Sequence, residues 1–391
     1  MGEEKYIERA MGKTIMESLD YYPVIIITGP RQSGKSTLAR HLFADYFYCS
    51  MENPDERSRA LRDPRNFLDR NTGMIIDEVQ RTPDLLSYIQ GIVDENPQKK
   101  FVLTGSAQFS LLKSVSQSLA GRAAVFELLP LSLYEARTET ASSEIDDILW
   151  KGAYPAIWSG ARPAQSFYRN YTMTYIERDI REIGAVKDLD KFYAFLRLCA
   201  ARAGSLFVAS ELSNELGISS HTVQAWLGIL QASYLVFLLP PFFENIRKRL
   251  TRTSKLYFTD TGLLCYLLGI EDSAQLRFDR MKGHLFENFV ITEALKHRFN
   301  CAKQSNLFFY RDSHGNEVDL LLKKGNSFRA LEIKSSSTYH PQFSKGLEHI
   351  EKVLGERIEQ KAVVYTGISD KTNKGEPLLN YRDVHDFTFF W

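Results

Sequence analysis

The chain has 391 residues, 44% apolar and 25% charged, which is the balance of a folded protein with room for two or three cores. Its formal net charge of +1 excludes a globally basic nucleic-acid binder, so any DNA-contacting surface is a local patch. Four cysteines, Cys49, Cys199, Cys265 and Cys301, stand far apart without metal-ligand spacing and read as buried thiols of a reducing compartment.

Over residues 1–135, short apolar runs at 24–28, 46–50, 74–76, 101–104 and 124–128 alternate with helical spacing at 35–43 and 85–93. This pattern predicts an α/β unit whose parallel sheet is covered on both faces. Residues 136–188 carry no strand run and read as helical and irregular, with a turn signal at Gly152-Ala153-Tyr154-Pro155. Residues 189–240 are helical with breaks at Ala203-Gly204 and Gly217, and the basic residues Arg247, Lys248, Arg249, Arg252 and Lys255 follow. The last part opens with a helix over 285–299, then strand-like runs at 307–310, 317–322 and 330–334. Residues 1–5 are polar and lack the apolar core of a signal peptide. The longest apolar run, 234–243, is too short for a bilayer and contains Pro240-Pro241. The expectation is a cytoplasmic protein without a membrane partner.

Gly29-Pro30-Arg31-Gln32-Ser33-Gly34-Lys35-Ser36 fits G-x-x-x-x-G-K-[ST] with no mismatch, after an apolar strand and before a helix that starts Lys35-Ser36-Thr37. The glycines let backbone N–H groups turn inward on phosphates, and the following helix adds its N-terminal dipole. Lys35 supplies a cation to the β- and γ-phosphates of ATP, and Ser36 a hydroxyl to Mg²⁺. Met74-Ile75-Ile76-Asp77-Glu78 is an apolar strand ending in two carboxylates, on the next-but-one strand after the loop. Asp77 is expected on Mg²⁺ and Glu78 on the attacking water. Thr104 and Ser106, at the end of another strand, are candidate γ-phosphate sensors. Arg122, in Leu119-Ala120-Gly121-Arg122, is a candidate arginine finger for a neighbouring subunit, and Arg31 a weaker one in cis.

With these motifs, the chain resembles the AAA-type ATPases that carry a C-terminal domain of unknown function, the DUF4143 group. The matching segments are GPRQSGKST at 29–37, IIDEVQ at 75–80, LTGS at 103–106, LAGR at 119–122, YIERDI at 175–180, YFTDTGL at 257–263 and GHLFENFV at 283–290. The resemblance implies a five-stranded ATPase core over 1–135 with the loop strand central, and a helical lid over 136–188. The YIERDI segment suggests no chemistry beyond a helical ion-pair network, and Asp260 reads as a helix cap.

Residues 208–236 read as helix, tight turn and helix, with Ser219 or Ser220 as the second cap. In a DNA-reading helix–turn–helix the second helix enters the major groove, led here by Ser219, Ser220, His221, Thr222 and Gln224. The basic stretch 247–255 then falls where a β-wing lies against phosphates. This makes 189–265 a winged-helix domain, with protein–protein packing as the bland reading.

Glu317-Val318-Asp319 and Ala330-Leu331-Glu332-Ile333-Lys334 predict a hairpin in which Glu332 and Lys334 share one face. Asp319 and Glu332, joined by Glu287 from the preceding helix, are expected to converge on one Mg²⁺, with Lys334 activating a water for phosphodiester hydrolysis. The set is similar to the PD-(D/E)xK nucleases, and its order and spacing are like those of archaeal Holliday-junction resolvases. Val318 departs from that pattern, which has proline there. The resemblance implies a restriction-endonuclease-like α/β domain over 266–391. Expected partners are DNA and further copies of the chain, a ring among the possible forms, with a protein partner as the alternative.

Overall fold

The computed structural model describes residues 6–106, 118–176, 186, 188–243, 253–373 and 375–389. Helix α1 (Met11–Ser18) is followed by β1 (Val24–Thr28), α2 (Lys35–Leu42), β2 (Phe47–Ser50), α3 (Pro54–Arg62), α4 (Pro64–Asp69), β3 (Gly73–Asp77), α5 (Leu85–Glu95), β4 (Lys100–Gly105) and β5 (Ala123–Glu127). The five strands form one parallel sheet in the order β2-β3-β4-β1-β5. β1, β3 and β4 are continuous apolar runs because both their faces are covered. Ile25, Ile27 and Val102 pack with Leu38 and Ala39 of α2, while Ile26, Ile76 and Leu103 pack with Leu86 and Ile89 of α5. The loop strand β1 is interior but not central. β1 lies between β4 and β5, with β2 and β3 beyond β4 and nothing beyond β5, so β4 takes the middle.

The middle of the chain holds α6 (Ile145–Lys151), α7 (Pro155–Trp158), α8 (Ala164–Tyr171) with a π-helical extension Thr172–Ile176, α9 (Leu189–Ala201), α10 (Ala209–Leu216), α11 (Ser220–Ala232), β6 (Val236–Leu239), β7 (Lys255–Phe258) and α12 (Thr261–Leu268). Gly217, with φ 60°, ends α10, and Ser219 Oγ accepts from Thr222 N at 3.0 Å to cap α11. β6 and β7 pair antiparallel, and Leu206 bridges Lys255 on the other side. Asp260 caps α12, accepting from Leu263 N at 2.7 Å, and also accepts from Ala153 N at 2.7 Å. The basic residues Arg247, Lys248, Arg249 and Arg252 lie outside the described residues, as does most of the YIERDI segment.

The last part contains α13 (Ser273–Phe278), α14 (Lys282–Asn300), β8 (Leu307–Arg311), β9 (Glu317–Lys324), β10 (Ser327–Lys334), α15 (Lys345–Leu354), β11 (Ile358–Tyr365), β12 (Asp370–Lys371), β13 (Pro377–Asn380) and α16 (Val384–Phe389). The sheet order is β12-β13-β11-β10-β9-β8. The strands β8, β9 and β10 form an antiparallel meander, and β10 pairs parallel with β11 across α15. One apolar core runs from Leu129 through Phe167, Phe195, Trp226 and Phe258 to Phe286, Leu331 and Val384. Among the described residues no helix is long and apolar enough to cross a membrane.

Candidate functional site

The loop after β1 is held in a conformation that its glycine permits. Gly29 has φ 143°, and a Cβ there would stand 2.2 Å from the Leu128 carbonyl oxygen, so a side chain would push the loop off β5. Gln32 adopts φ 61°, a costly conformation for a residue with a side chain, of the kind found where phosphates are cradled. Lys35 is 5% exposed and its Nζ donates to the carbonyls of Gly29 (3.0 Å) and Pro30 (2.7 Å), which keeps the cation at the loop. The N-terminus of α2 begins there and adds the positive end of its dipole.

Across the loop, three hydroxyls fix Asp77. Ser36 Oγ donates to Oδ1 at 2.6 Å, Thr104 Oγ1 donates to the same oxygen, and the Tyr48 hydroxyl donates to Oδ2 at 2.9 Å. Glu78 follows in left-handed backbone, φ 55°. It accepts from Gln80 Nε2 and, at 3.4 Å, from Ser106 Oγ, and Arg31 Nη1 is 4.0 Å from Oε1. Burial raises the Glu78 carboxyl above its ordinary value, against the pull of Lys35 and Arg31. Thr104 and Ser106, expected to face a γ-phosphate, are therefore turned onto the two carboxylates, Thr104 onto Asp77 and Ser106 onto Glu78.

Gln32, Lys35, Ser36, Thr37 and Glu78 line a cleft of about 440 Å³, together with Tyr6, Pro155 and Arg162. That volume is in the range of small-ligand sites. The residues present fit a nucleoside triphosphate with Mg²⁺. The loop residues Gly29, Pro30, Arg31, Gln32, Ser33 and Gly34 with Lys35 and Thr37 would hold the phosphates, and Ser36 and Asp77 the metal. Arg122 is elsewhere: it precedes β5, the neighbour of β1, at the N-terminal end of the strands and so opposite the end from which the loop leaves, and it pairs bidentately with Asp94 (2.6 and 2.7 Å). It does not face its own chain's cleft.

The C-terminal carboxylates gather at the β9–β10 hairpin, where alternation places Glu332 and Lys334 on one face. Lys334 Nζ lies 3.1 Å from both Asp319 Oδ2 and Glu332 Oε2, and Ile333 N donates to Asp319 Oδ2 at 2.8 Å. Gly346 at the start of α15 approaches so closely that a Cβ would stand 2.2 Å from Glu332 Oε1. Burial pushes Glu332 up strongly, with the Asp319 carboxylate adding to it. Asp319 resists the same burial through Lys334 and stays below its ordinary value. Glu287 is instead bound to Lys255 Nζ (3.0 Å) and to the Tyr257 hydroxyl (2.6 Å). The expected convergence of Glu287, Asp319 and Glu332 on one Mg²⁺ is thus not what the structure holds. Among the described residues no group of three or more His, Cys, Asp or Glu side chains is placed to hold a metal ion, and two lysines occupy the positions between the carboxylates.

On the helix–turn–helix, Ser219, Ser220, His221 and Gln224 are exposed at the start of α11, while Val223, Trp226, Leu227 and Leu230 are buried behind them.

Three family models match in series: an AAA domain over 21–137, a domain of unknown function (DUF8612) over 142–274, and a domain of unknown function (DUF4143) over 282–382. An uncharacterized protein of Mycobacterium tuberculosis is 31% identical over 360 residues, which is 90% of this chain and 78% of that protein. The chain belongs to this family of AAA-domain ATPases with a C-terminal DUF4143 domain. An uncharacterized protein of Methanocaldococcus jannaschii is a more distant relative, 22% identical over 76% of this chain and 71% of its own length. Among solved structures, the Walker-type ATPase PABY2304 of Pyrococcus abyssi aligns with a TM-score of 0.48 and 16% identity, over 68% of this chain and 97% of that one.

Several residues of the ATPase site carry no sequence motif. Arg9 is buried, donating to the Ser33 carbonyl (2.7 Å) and the Leu129 carbonyl (2.7 Å) and pairing with Glu135 (3.0 Å), so it ties the loop to the chain leaving β5. Tyr6 stacks on His41 at 3.9 Å beside the cleft, and Arg162 enters it from the segment after α7.

Proposed function

We propose that this ATPase is a DNA-binding switch in which ATP at the loop sets the DNA affinity of the helix–turn–helix and hydrolysis resets it. The observation that carries this reading is Tyr234. It stands two residues after α11, and its hydroxyl meets Thr28 Oγ1 at 2.7 Å, one residue before Gly29. The same hydroxyl donates to Glu127 Oε1 at 3.2 Å on β5. Tyr234 is 5% exposed and holds φ 55°, a strained backbone that persists only where its surroundings impose it. A shift of the loop strand on phosphate binding therefore reaches the end of α11 directly. The other end of α11 presents the exposed Ser219, Ser220, His221 and Gln224.

Within the ATPase cycle, Lys35 would compensate phosphate charge, Asp77 and Ser36 would hold Mg²⁺, and Glu78 would accept a proton from the attacking water. Arg122 completes the site of a neighbouring subunit in an oligomer, after leaving Asp94.

The test is fluorescence anisotropy of labelled duplex with the full chain, at several salt concentrations, with ADP, a slowly hydrolysed ATP analogue, or no nucleotide. The expected result is a nucleotide-dependent affinity that falls steeply with salt. Affinity that is undetectable, or indifferent to nucleotide, overturns the switch and favours a protein-directed regulator. A second reading, Mg²⁺-dependent cleavage of junction-type or other DNA, is favoured by the meeting of Asp319, Glu332 and Lys334. Loss of cutting in Asp319→Ala, against wild type, supports it, and intact DNA in both refutes it.

A further inference from the structure

The strand that ends in Asp77 and Glu78 runs straight into a single 3₁₀ turn, Val79–Arg81. Glu78 enters it in left-handed backbone, and Arg81 N closes it on the Glu78 carbonyl at 3.1 Å. Val79 is fully buried in the apolar layer that holds Leu85, Leu86 and Leu103, so the core anchors the turn. Gln80 is thereby set beside the side chain two residues before it, and its Nε2 donates to Glu78 Oε2.

The two oxygens of Glu78 are held unequally. Oε2 accepts from Gln80 and, at 3.4 Å, from Ser106 Oγ. Oε1 has Arg31 Nη1 at 4.0 Å, too long for a hydrogen bond. Glu78 lines the phosphate cleft and Gln80 does not, so the amide grips the carboxylate from outside the space a nucleotide would fill. The amide itself is only half satisfied. Gln80 Oε1 is buried and, among the described residues, takes no hydrogen bond. A buried acceptor without a donor weakens a fold, and an unbranched apolar side chain of the same length would avoid that cost. Packing therefore does not account for an amide at this position, whereas its one bond to Glu78 does.

We infer that Gln80 is a positioning residue for hydrolysis, holding Glu78 by Oε2 so that Oε1 stays turned to the attacking water. This deepens the ATPase reading and rests on Glu78 as the group that takes the water's proton. Without Gln80, Glu78 keeps only the long bond from Ser106 and is drawn towards Arg31. A base displaced by about 1 Å can lose about 10²-fold in rate. Nucleotide affinity is not at stake, since Gln80 does not line the cleft.

The test is steady-state hydrolysis of MgATP by the full chain as wild type, Gln80→Met, Glu78→Gln and the double variant. Calorimetry gives the affinity for a slowly hydrolysed ATP analogue, and circular dichroism reports folding. Gln80→Met, which keeps the length and removes the amide, is expected to lower kcat by about 10–10²-fold, with KM and analogue affinity within about twofold of wild type. Added to Glu78→Gln, the same change is expected to alter the residual rate by less than about twofold, because no base is left to position. A purely structural role lowers the rate by the same factor in both backgrounds, and that result overturns the inference. So does an unchanged kcat, or a loss of analogue affinity in step with the rate. Gln80→Ala takes the place of the methionine variant, under the same criteria, if that one unfolds. Failure of the ATPase reading looks different: wild type does not hydrolyse ATP, or Glu78→Gln is as fast as wild type, and Gln80 then has no base to position.

Discussion

Replacing Tyr234 by phenylalanine removes one oxygen atom from the contact between α11 and the phosphate loop and leaves the ring in place. The hydroxyl makes a neutral pair with Thr28 Oγ1 and donates to the Glu127 carboxylate. A neutral hydrogen bond contributes about 1 kcal/mol and one to a charged group about 1.5–3 kcal/mol. Thr28 keeps its 3.2 Å bond to the Phe126 carbonyl, so the expected destabilisation is about 2–3 kcal/mol, seen as a lower melting temperature of a still folded protein. The larger consequence is functional. If the hydroxyl carries about 1–2 kcal/mol of coupling between nucleotide and DNA, the ratio of DNA affinities with and without the ATP analogue collapses by roughly 5–30-fold. Nucleotide affinity, measured by titration, changes little, because Tyr234 is not among the residues lining the cleft. Anisotropy measured on Tyr234→Phe beside wild type decides the matter. A variant that retains the full nucleotide effect on DNA binding refutes the coupling path, whatever its melting temperature.

Glu78→Gln should reduce hydrolysis by about 10²–10⁴-fold while ATP still binds, since only the base is lost; equal loss of binding would place Glu78 in a different role. Because burial raises the Glu78 carboxyl above its ordinary 4.5 and the group works deprotonated, hydrolysis should fall as pH drops through that raised value, and the residual rate of Glu78→Gln should lack this acid limb. Gly29→Ala adds a Cβ 2.2 Å from the Leu128 oxygen at φ 143°, so it should abolish nucleotide binding and lower stability by more than about 1–3 kcal/mol, as titration and thermal melts would show. Arg122→Ala should reduce turnover and assembly of concentrated protein, whereas Asp94→Ala, which only frees the arginine, should reduce neither; unchanged turnover and assembly in Arg122→Ala would remove it from the site.

The parts of this molecule that were legible in its sequence are those where chemistry fixes spacing. The loop at 29–36 and the Asp77-Glu78 strand end stand where expected, because phosphate binding constrains consecutive residues. Strand alternation also placed Glu332 and Lys334 on the face where they meet Asp319. The caps at Ser219 and Asp260 were readable for the same local reason. What stayed hidden depends on contacts between distant segments. Arg9 reaches Leu129, and Tyr234 reaches Thr28, with no periodicity to announce either. Lys255 was the most misleading residue. In sequence it ends a basic run and reads as a wing cation, yet the Leu256-Tyr257-Phe258 that follow it are fully buried and carry it inward with them.

The apolar core that runs unbroken from Leu129 to Val384 bears on how the chain folds and how it has been inherited. The middle and C-terminal family models meet near 274–282, but the interior is continuous there, with Phe258 and Leu263 on one side and Phe286 and Val290 on the other. Neither half can bury its own surface without the other, so cutting the chain at that junction would expose two sticky faces rather than release two soluble modules. Hydrogen exchange should find one cooperative unit where sequence comparison finds two. A lineage that lost either half would have to refinish the other's surface, and that is a physical reason for the two to travel together behind the same ATPase.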